Sequence, residues 1–308
     1  TEKLIMAFNL ATFKTRTGTA IIFVAIMLAG LLWNQWSFFI LFSAIHFGCW
    51  TEYQKLIALI DPGYKEITPF HKYGVMLAGW SLLLWFTGNQ YRLFGMYLHE
   101  MGWWTGLTVV FILPITELLF TKTIRLKNIG HSIFGLVYIS LSLGLLMNLY
   151  GTETNNPLLY KESSLYLIFL PVFTIACMWI NDTMAYIVGS LIGKTPFSKI
   201  SPKKTWEGTV GGIILAAILC GYVAWIFDEW FVFGQPLYKW IILGSIAAIA
   251  GTVGDLLESK LKRMAGVKDS GSIMPGHGGF LDRFDSLLVA VPFVWVYVQL
   301  FIRQAAFQ

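Results

Sequence analysis

What most constrains this chain is a succession of apolar runs, each long enough to cross about 30 Å of hydrocarbon, a span that takes roughly 17 to 25 helical residues. Nine such runs are predicted, at about 18–34, 36–57, 72–88, 102–120, 130–150, 164–192, 208–228, 237–258 and 281–302; the third is short, and the sixth and ninth carry internal charge. Within lipid every backbone amide must be satisfied inside its own segment, so these runs are expected to be helices, and the alternating pattern of a membrane barrel does not occur. With 56% hydrophobic and 13% charged residues and a mean hydropathy of +0.65, the 308-residue chain lies outside soluble composition. The expected fold class is therefore all-α: a polytopic integral membrane protein of about nine transmembrane helices with its N-terminus in the cytoplasm.

The orientation follows from charge. Counting loops alternately along nine helices puts 18 of the 22 lysines and arginines on one side, leaving Arg92, Lys161, Lys239 and Arg303 on the other. By the positive-inside rule the richer side is cytoplasmic. The longest polar links, about 58–71, 193–207 and 259–280, all fall there. A single membrane domain is expected, with residues 1–160 forming a scaffold of about five helices and 161–308 carrying the chemistry on about four. Cys49, Cys177 and Cys220 lie in apolar runs without metal-type spacing and read as buried thiols. No signal-peptide cleavage pattern is present, and the short segment before the first apolar run points to a bacterial inner membrane.

Against this apolar background, the stretch from Gly251 to Ser286 concentrates acidic, basic and imidazole side chains. Asp255 and Ser259 are four residues apart and Asp282 and Asp285 three apart, so each pair shares a helical face. Carboxylates that close repel unless a cation or a proton sits between them. Metal ligation by Asp255, Asp282 and Asp285 is one reading, because carboxylate oxygens suit hard Mg²⁺; salt bridging to Lys262, Arg263 or Arg283 is the other. His277, flanked by Pro275 and glycines, sits where a helix cannot continue, and either meets phosphate or is structural. Gly278 and Gly279 allow close backbone approach to a phosphate, or simple loop flexibility.

Two further groups stand out. Asp182 lies inside the sixth apolar run, where a carboxylate costs about 2.5–3.5 kcal/mol and normally faces a cavity or a partner; Tyr186, four residues on, shares its face. In the run Ser201, Pro202, Lys203, Lys204, Thr205, Trp206, Glu207, Gly208, serine before proline predicts a helix start, with Ser201 as cap. Free amides and two lysines there make an anion site; attraction to acidic headgroups is the blander alternative.

Ser259, Lys262, Arg263, Lys268, Asp269, Pro275, His277, Gly278, Gly279, Asp282, Arg283 and Asp285 also fall, in order and spacing, on a signature that resembles that of the phosphatidate cytidylyltransferases, the CDP-diacylglycerol synthases. The similarity is densest from about Asn181 to Ser286, where the Asp182 and Ala185–Tyr186 positions and the 201–208 run also look like the family's. The resemblance implies that CTP and phosphatidic acid react to give CDP-diacylglycerol and pyrophosphate. It implies catalytic roles for Asp255, Asp282, Asp285, Lys262, Arg263 and His277, and substrate contacts from Asp182, Tyr186, Ser201, Lys203, Lys204, Thr205, Glu207, Ser259, Lys268, Asp269, Gly278, Gly279 and Arg283. Mg²⁺, one cation or two, is the expected cofactor; membrane lipids and a second copy of the chain are the expected partners, and nucleic acid is not. A related CTP-dependent kinase or transferase acting on a polyprenyl or archaeal lipid would share these groups. An ion-coupled transporter is the rival from another class, since intramembrane carboxylates also mark ion pathways.

Overall fold

The computed structural model describes residues 10–120, 124–151, 164–231, 234–273 and 278–302. Among these residues the chain is a bundle of α-helices: α1 (Leu10–Leu32), α2 (Gln35–Ile60), α3 (Pro69–Trp85), α4 (Leu98–Phe120), α5 (Leu126–Gly135), α6 (Ser142–Leu149), α7 (Ser164–Ile192), α8 (Trp206–Phe231), α9 (Leu237–Met264) and α10 (Leu281–Tyr297). A π-helical stretch, Leu136–Leu141, joins α5 to α6, and another, Val298–Ile302, continues α10. The described residues therefore hold nine helical rods at the places of the nine apolar runs. Six of the rods, from α4 onward with α5 and α6 as one, are long and apolar enough to cross a membrane, which makes the chain a multi-pass integral membrane protein. A two-residue ladder, Arg92–Leu93 against Met96–Tyr97, closes a tight turn before α4.

α2 falls below the hydropathy of a spanning helix because it carries polar residues, and several of these face the protein interior. His46, Glu52 and Gln54 are all buried. The Ser140 hydroxyl, in the π-helical stretch, accepts the Trp50 indole N–H at 2.8 Å and meets His46 Nε2 at 3.0 Å. The helix begins at a capping box, in which Asn34 Oδ1 accepts the Ser37 amide at 2.9 Å and the Ser37 hydroxyl accepts the Asn34 amide at 3.1 Å.

The last four helices pack through small residues, as helices in lipid must when apolar burial gives them no reason to associate. A Cβ on Gly208 of α8 would lie 2.7 Å from the Ala185 carbonyl of α7, and one on Gly212 would lie 2.8 Å from the Ala185 nitrogen. Gly254 of α9 is pressed against α10, where a Cβ would sit 2.5 Å from the Asp285 carbonyl oxygen and 2.9 Å from Ser286 Cα. These close approaches bring the polar ends of α7, α8, α9 and α10 together.

Two sequence expectations are corrected here. α9 does not stop near residue 258 but runs to Met264, where Gly266 at φ +71° ends it: the Val267 amide donates to the Lys262 carbonyl and the Gly266 amide to the Arg263 carbonyl. Charge hid this extension, because a polar helical turn reads like a loop in hydropathy. The second correction concerns the start of α8, which is not Ser201. Residues 201–204 form a turn, with the Lys204 amide donating to the Ser201 carbonyl, and the helix starts at Trp206 with the Thr205 hydroxyl accepting the Gly208 amide at 3.1 Å. A threonine three residues before the amide it caps served as well as the serine.

Candidate active site

The C-terminal ends of α7 and α9 and the N-terminal ends of α8 and α10 surround a cavity of about 500 Å³. Of the sequence-predicted residues, Asp182, Tyr186, Ser201, Lys203, Lys204, Thr205, Asp255, Asp282 and Asp285 line it, joined by Asn181, Thr252 and Ser286 among others. Residues from four helices and one loop thus converge, although Asp182 and Asp285 are 103 residues apart in sequence. The lining holds four carboxylates against two lysines. Such an excess of negative charge in a half-buried space is unfavourable unless a cation or a proton offsets it.

The loop between α7 and α8 is tied down by Glu207. Its carboxylate accepts the Thr195 amide at 3.2 Å, the Thr195 hydroxyl at 2.8 Å and the Lys194 amide at 3.2 Å. The Phe197 amide donates to the Lys204 carbonyl and the Trp206 amide to that of Thr195. Glu207 thereby shapes the loop that presents Lys203 and Lys204, and does not itself line the cavity. Lys204 meets the Asp255 carboxylate directly. Burial holds the Lys204 ammonium below the usual lysine range, against the opposing pull of Asp182 and Asp285.

Because α9 extends to Met264, Asp255, Glu258, Ser259 and Lys262 share one helical face at i, i+3, i+4 and i+7. The Ser259 hydroxyl donates to Asp255 Oδ1 at 3.4 Å. The Lys262 ammonium lies between the buried Glu258 and Asp282 Oδ1, 2.6 Å from the latter. Asp282 Oδ2 in turn accepts the Ser270 amide at 2.8 Å, the Ser270 hydroxyl at 2.9 Å and the Gly279 amide at 2.8 Å. Asp285 Oδ1 accepts the adjacent Ser286 amide at 2.7 Å.

Other sequence candidates fall elsewhere. Arg263, Lys268 and Asp269 are exposed and outside the cavity lining. Arg283 lines a smaller cavity of about 120 Å³, with Phe23 of α1 and Trp179 of α7, that shares Asp182, Asp282 and Asp285 with the larger one. Gly278, at φ +84°, packs on Asp282, and Gly279 packs on Glu52. The Gly279 amide is taken by Asp282, so this glycine makes room for a carboxylate and not for a phosphate. His277 and Pro275 lie outside the described residues. Glu52, Glu258 and Ser270 were not singled out from the sequence. A glutamate inside the second apolar run, and another at i+3 from Asp255, were the available signals.

Among the described residues no three histidine, cysteine, aspartate or glutamate side chains gather as a metal cage. The donors do fit a hard divalent cation of the Mg²⁺ kind, which keeps several waters and takes one or two carboxylates together with substrate phosphates. Asp182 and Asp285 both face the cavity. The Asn181 side-chain oxygen Oδ1 is buried with no hydrogen-bond partner among the described residues, while the side-chain nitrogen Nδ2 donates to the Thr252 hydroxyl at 3.3 Å.

Fold and site together define a multi-pass membrane protein with a carboxylate-and-lysine cavity at one end of its bundle. The cytidylyltransferase family profile matches residues 14–301, and the chain belongs to that family. It is 37% identical over 191 residues to a phosphatidate cytidylyltransferase of Bacillus subtilis, covering 60% of this chain and 65% of that one. It is 35% identical over 198 residues to one of Staphylococcus saprophyticus, covering 62% and 69%. Over 137 residues it is 43% identical to one of Synechocystis, covering 43% and 44%. The alignments thus span from under half to about two thirds of these relatives.

Proposed function

We propose that the protein is a phosphatidate cytidylyltransferase, joining CTP and phosphatidic acid into CDP-diacylglycerol with release of pyrophosphate. The observation that carries this reading is the single cavity in which four carboxylates and two lysines meet at the helix ends, in a chain of the cytidylyltransferase family. The lipid phosphate oxygen attacks the α-phosphorus of CTP, the new P–O bond forms as the bond to the β-phosphate bridge breaks, and the electron pair leaves on pyrophosphate. The attacking phosphate is already ionised near neutral pH, so no strong base is needed. Lys203 and Lys204 supply positive charge to the triphosphate, and Lys262, held between two carboxylates, keeps Asp282 in place. Asp182, Asp285 and the Asn181 side-chain Oδ1 would hold Mg²⁺, with Asp255 and Asp282 beside them. When bound, that ion would offset the repulsion between two polyanionic substrates.

This reading also places all nine rods across the bilayer, with the N-terminus and the cavity facing the cytoplasm of a bacterial inner membrane. The one-sided distribution of 18 of 22 cationic residues supports it, and family resemblance supports a homodimer. The test is direct: purified protein in detergent with CTP, phosphatidate and Mg²⁺ should release pyrophosphate. Silence with phosphatidate and turnover with a polyprenol would replace the lipid substrate in this proposal.

The state of Lys204 sets a pH dependence. Its proton leaves more readily than from an ordinary lysine, so activity should fall on the alkaline side before pH reaches the usual lysine value of about 10.4. Lys204→Arg, whose guanidinium stays charged, should carry that alkaline limb to higher pH. Superimposable alkaline limbs in the two pH profiles would remove Lys204 from the charge that holds the triphosphate.

A further inference from the structure

Glu52 belongs to α2, far in sequence from the signature, and it is 1% exposed. A buried carboxylate is costly unless its oxygens are hydrogen-bonded. Here Oε1 accepts the Phe280 amide at 2.9 Å, and Oε2 accepts the Leu281 amide at 2.9 Å and the Ser270 hydroxyl at 2.7 Å. All three donors lie in the segment that leads from α9 into the first turn of α10. A Cβ on either Gly271 or Gly279 would overlap the Glu52 carboxylate, so the described residues on both sides of this segment close on one side chain. The Ser270 hydroxyl also touches Asp282 Oδ2 at 2.9 Å. Its single proton is shared between two carboxylates, which links Glu52 to Asp282.

We propose that Glu52 is a positioning residue for the reaction: it holds the first turn of α10 in register, and through Ser270 it sets the orientation of Asp282 toward the cavity. The amides that begin α10 are consequently engaged inside the protein. Those of Gly279, Phe280, Leu281 and Asp282 donate to Asp282, Glu52, Glu52 and Ser270 respectively. This end of α10 therefore orients carboxylates and does not receive the triphosphate. The activity readout rests on the cytidylyltransferase reading; the structural readout does not.

The test compares wild type, Glu52→Ala and Glu52→Gln in detergent, by steady-state kinetics and by hydrogen exchange of the amides of residues 279–282. Misplacing a reacting constellation by about 1 Å can cost about 100-fold in rate, so Glu52→Ala should lose about that much in kcat while KM for CTP changes by less than about threefold. Exchange at Phe280 and Leu281 should quicken by about tenfold or more as these two amides lose their acceptor. Glu52→Gln retains one acceptor oxygen and should fall between the two. Wild-type kcat, or wild-type exchange, in a folded Glu52→Ala overturns the proposal. Should Glu52→Ala fail to insert, Glu52→Gln decides by the same measurements, and wild-type values for both overturn it. A wild-type protein inert toward CTP and phosphatidate would sink the functional reading, and the exchange comparison would still judge Glu52.

Discussion

Asp285→Asn is expected to lower kcat for pyrophosphate release by about 10²–10³-fold, the usual loss when one preorganised charge-stabilising group is removed, while the protein still inserts and folds. The second half of that expectation comes from the contacts of Asp285. Its Oδ1 accepts the neighbouring Ser286 amide, a bond that the isosteric amide oxygen of asparagine can keep. What the substitution removes is the negative charge facing Asp182 and Lys204 in the cavity. If Asp285 helps to hold Mg²⁺, the Mg²⁺ concentration for half-maximal turnover should rise as well. Turnover within about threefold of wild type, with an unchanged Mg²⁺ response, would take Asp285 out of the chemistry.

Asp282→Ala should do two kinds of damage. The side chain is 7% exposed, pairs with Lys262 and accepts three hydrogen bonds from Ser270 and Gly279. Deleting one member of a buried charge pair typically costs about 3–5 kcal/mol, because the partner is left uncompensated. Lys262 still has Glu258 beside it, which argues for the lower end of that range. The expected result is a clearly lower thermal unfolding midpoint together with loss of turnover. Asp282→Asn separates the two effects, since it keeps an acceptor for the amides and loses the charge that faces Lys262. A normal unfolding midpoint for Asp282→Ala would mean that the segment around Ser270 is held without it.

Much of the architecture was legible because lipid leaves so few choices. Apolar runs near 20 residues become helices, and their positions agree with the observed rods to within a few residues except where charge obscured an end. α9 is the instructive case. Lys260, Lys262 and Arg263 looked like a loop, yet they continue the helix for almost two turns, and only that continuation carries Lys262 to Asp282. The α8 start misled for a related reason: Ser201–Pro202 is a valid helix beginning taken alone, but Glu207 gathers the Lys194 and Thr195 amides and the resulting loop delays the helix to Trp206.

The carboxylates were legible one by one, since an aspartate inside an apolar run needs a reason. Their partners were not. Ser270 and Glu52 are separated by more than two hundred residues, and a serine in a polar loop carries no signal until a buried glutamate is found opposite it. The glycines show the same limit. Gly279 can be read from sequence as room for a phosphate, whereas the structure puts the Glu52 carboxylate in that space.

The sequence by itself determined that this chain is helical, that it belongs in a membrane, and that acidic and basic groups crowd toward one end of its last helices, because hydropathy and the cost of unsatisfied backbone are properties of local segments. Only the tertiary structure decided which of those charges face one another: Lys204 with Asp255, Lys262 with Glu258 and Asp282, Glu52 with the start of α10. The pairings between elements depend on how closely the helices approach, as at Gly208, Gly212 and Gly254, and a distance between helices is set by packing across the bundle, which no single segment encodes.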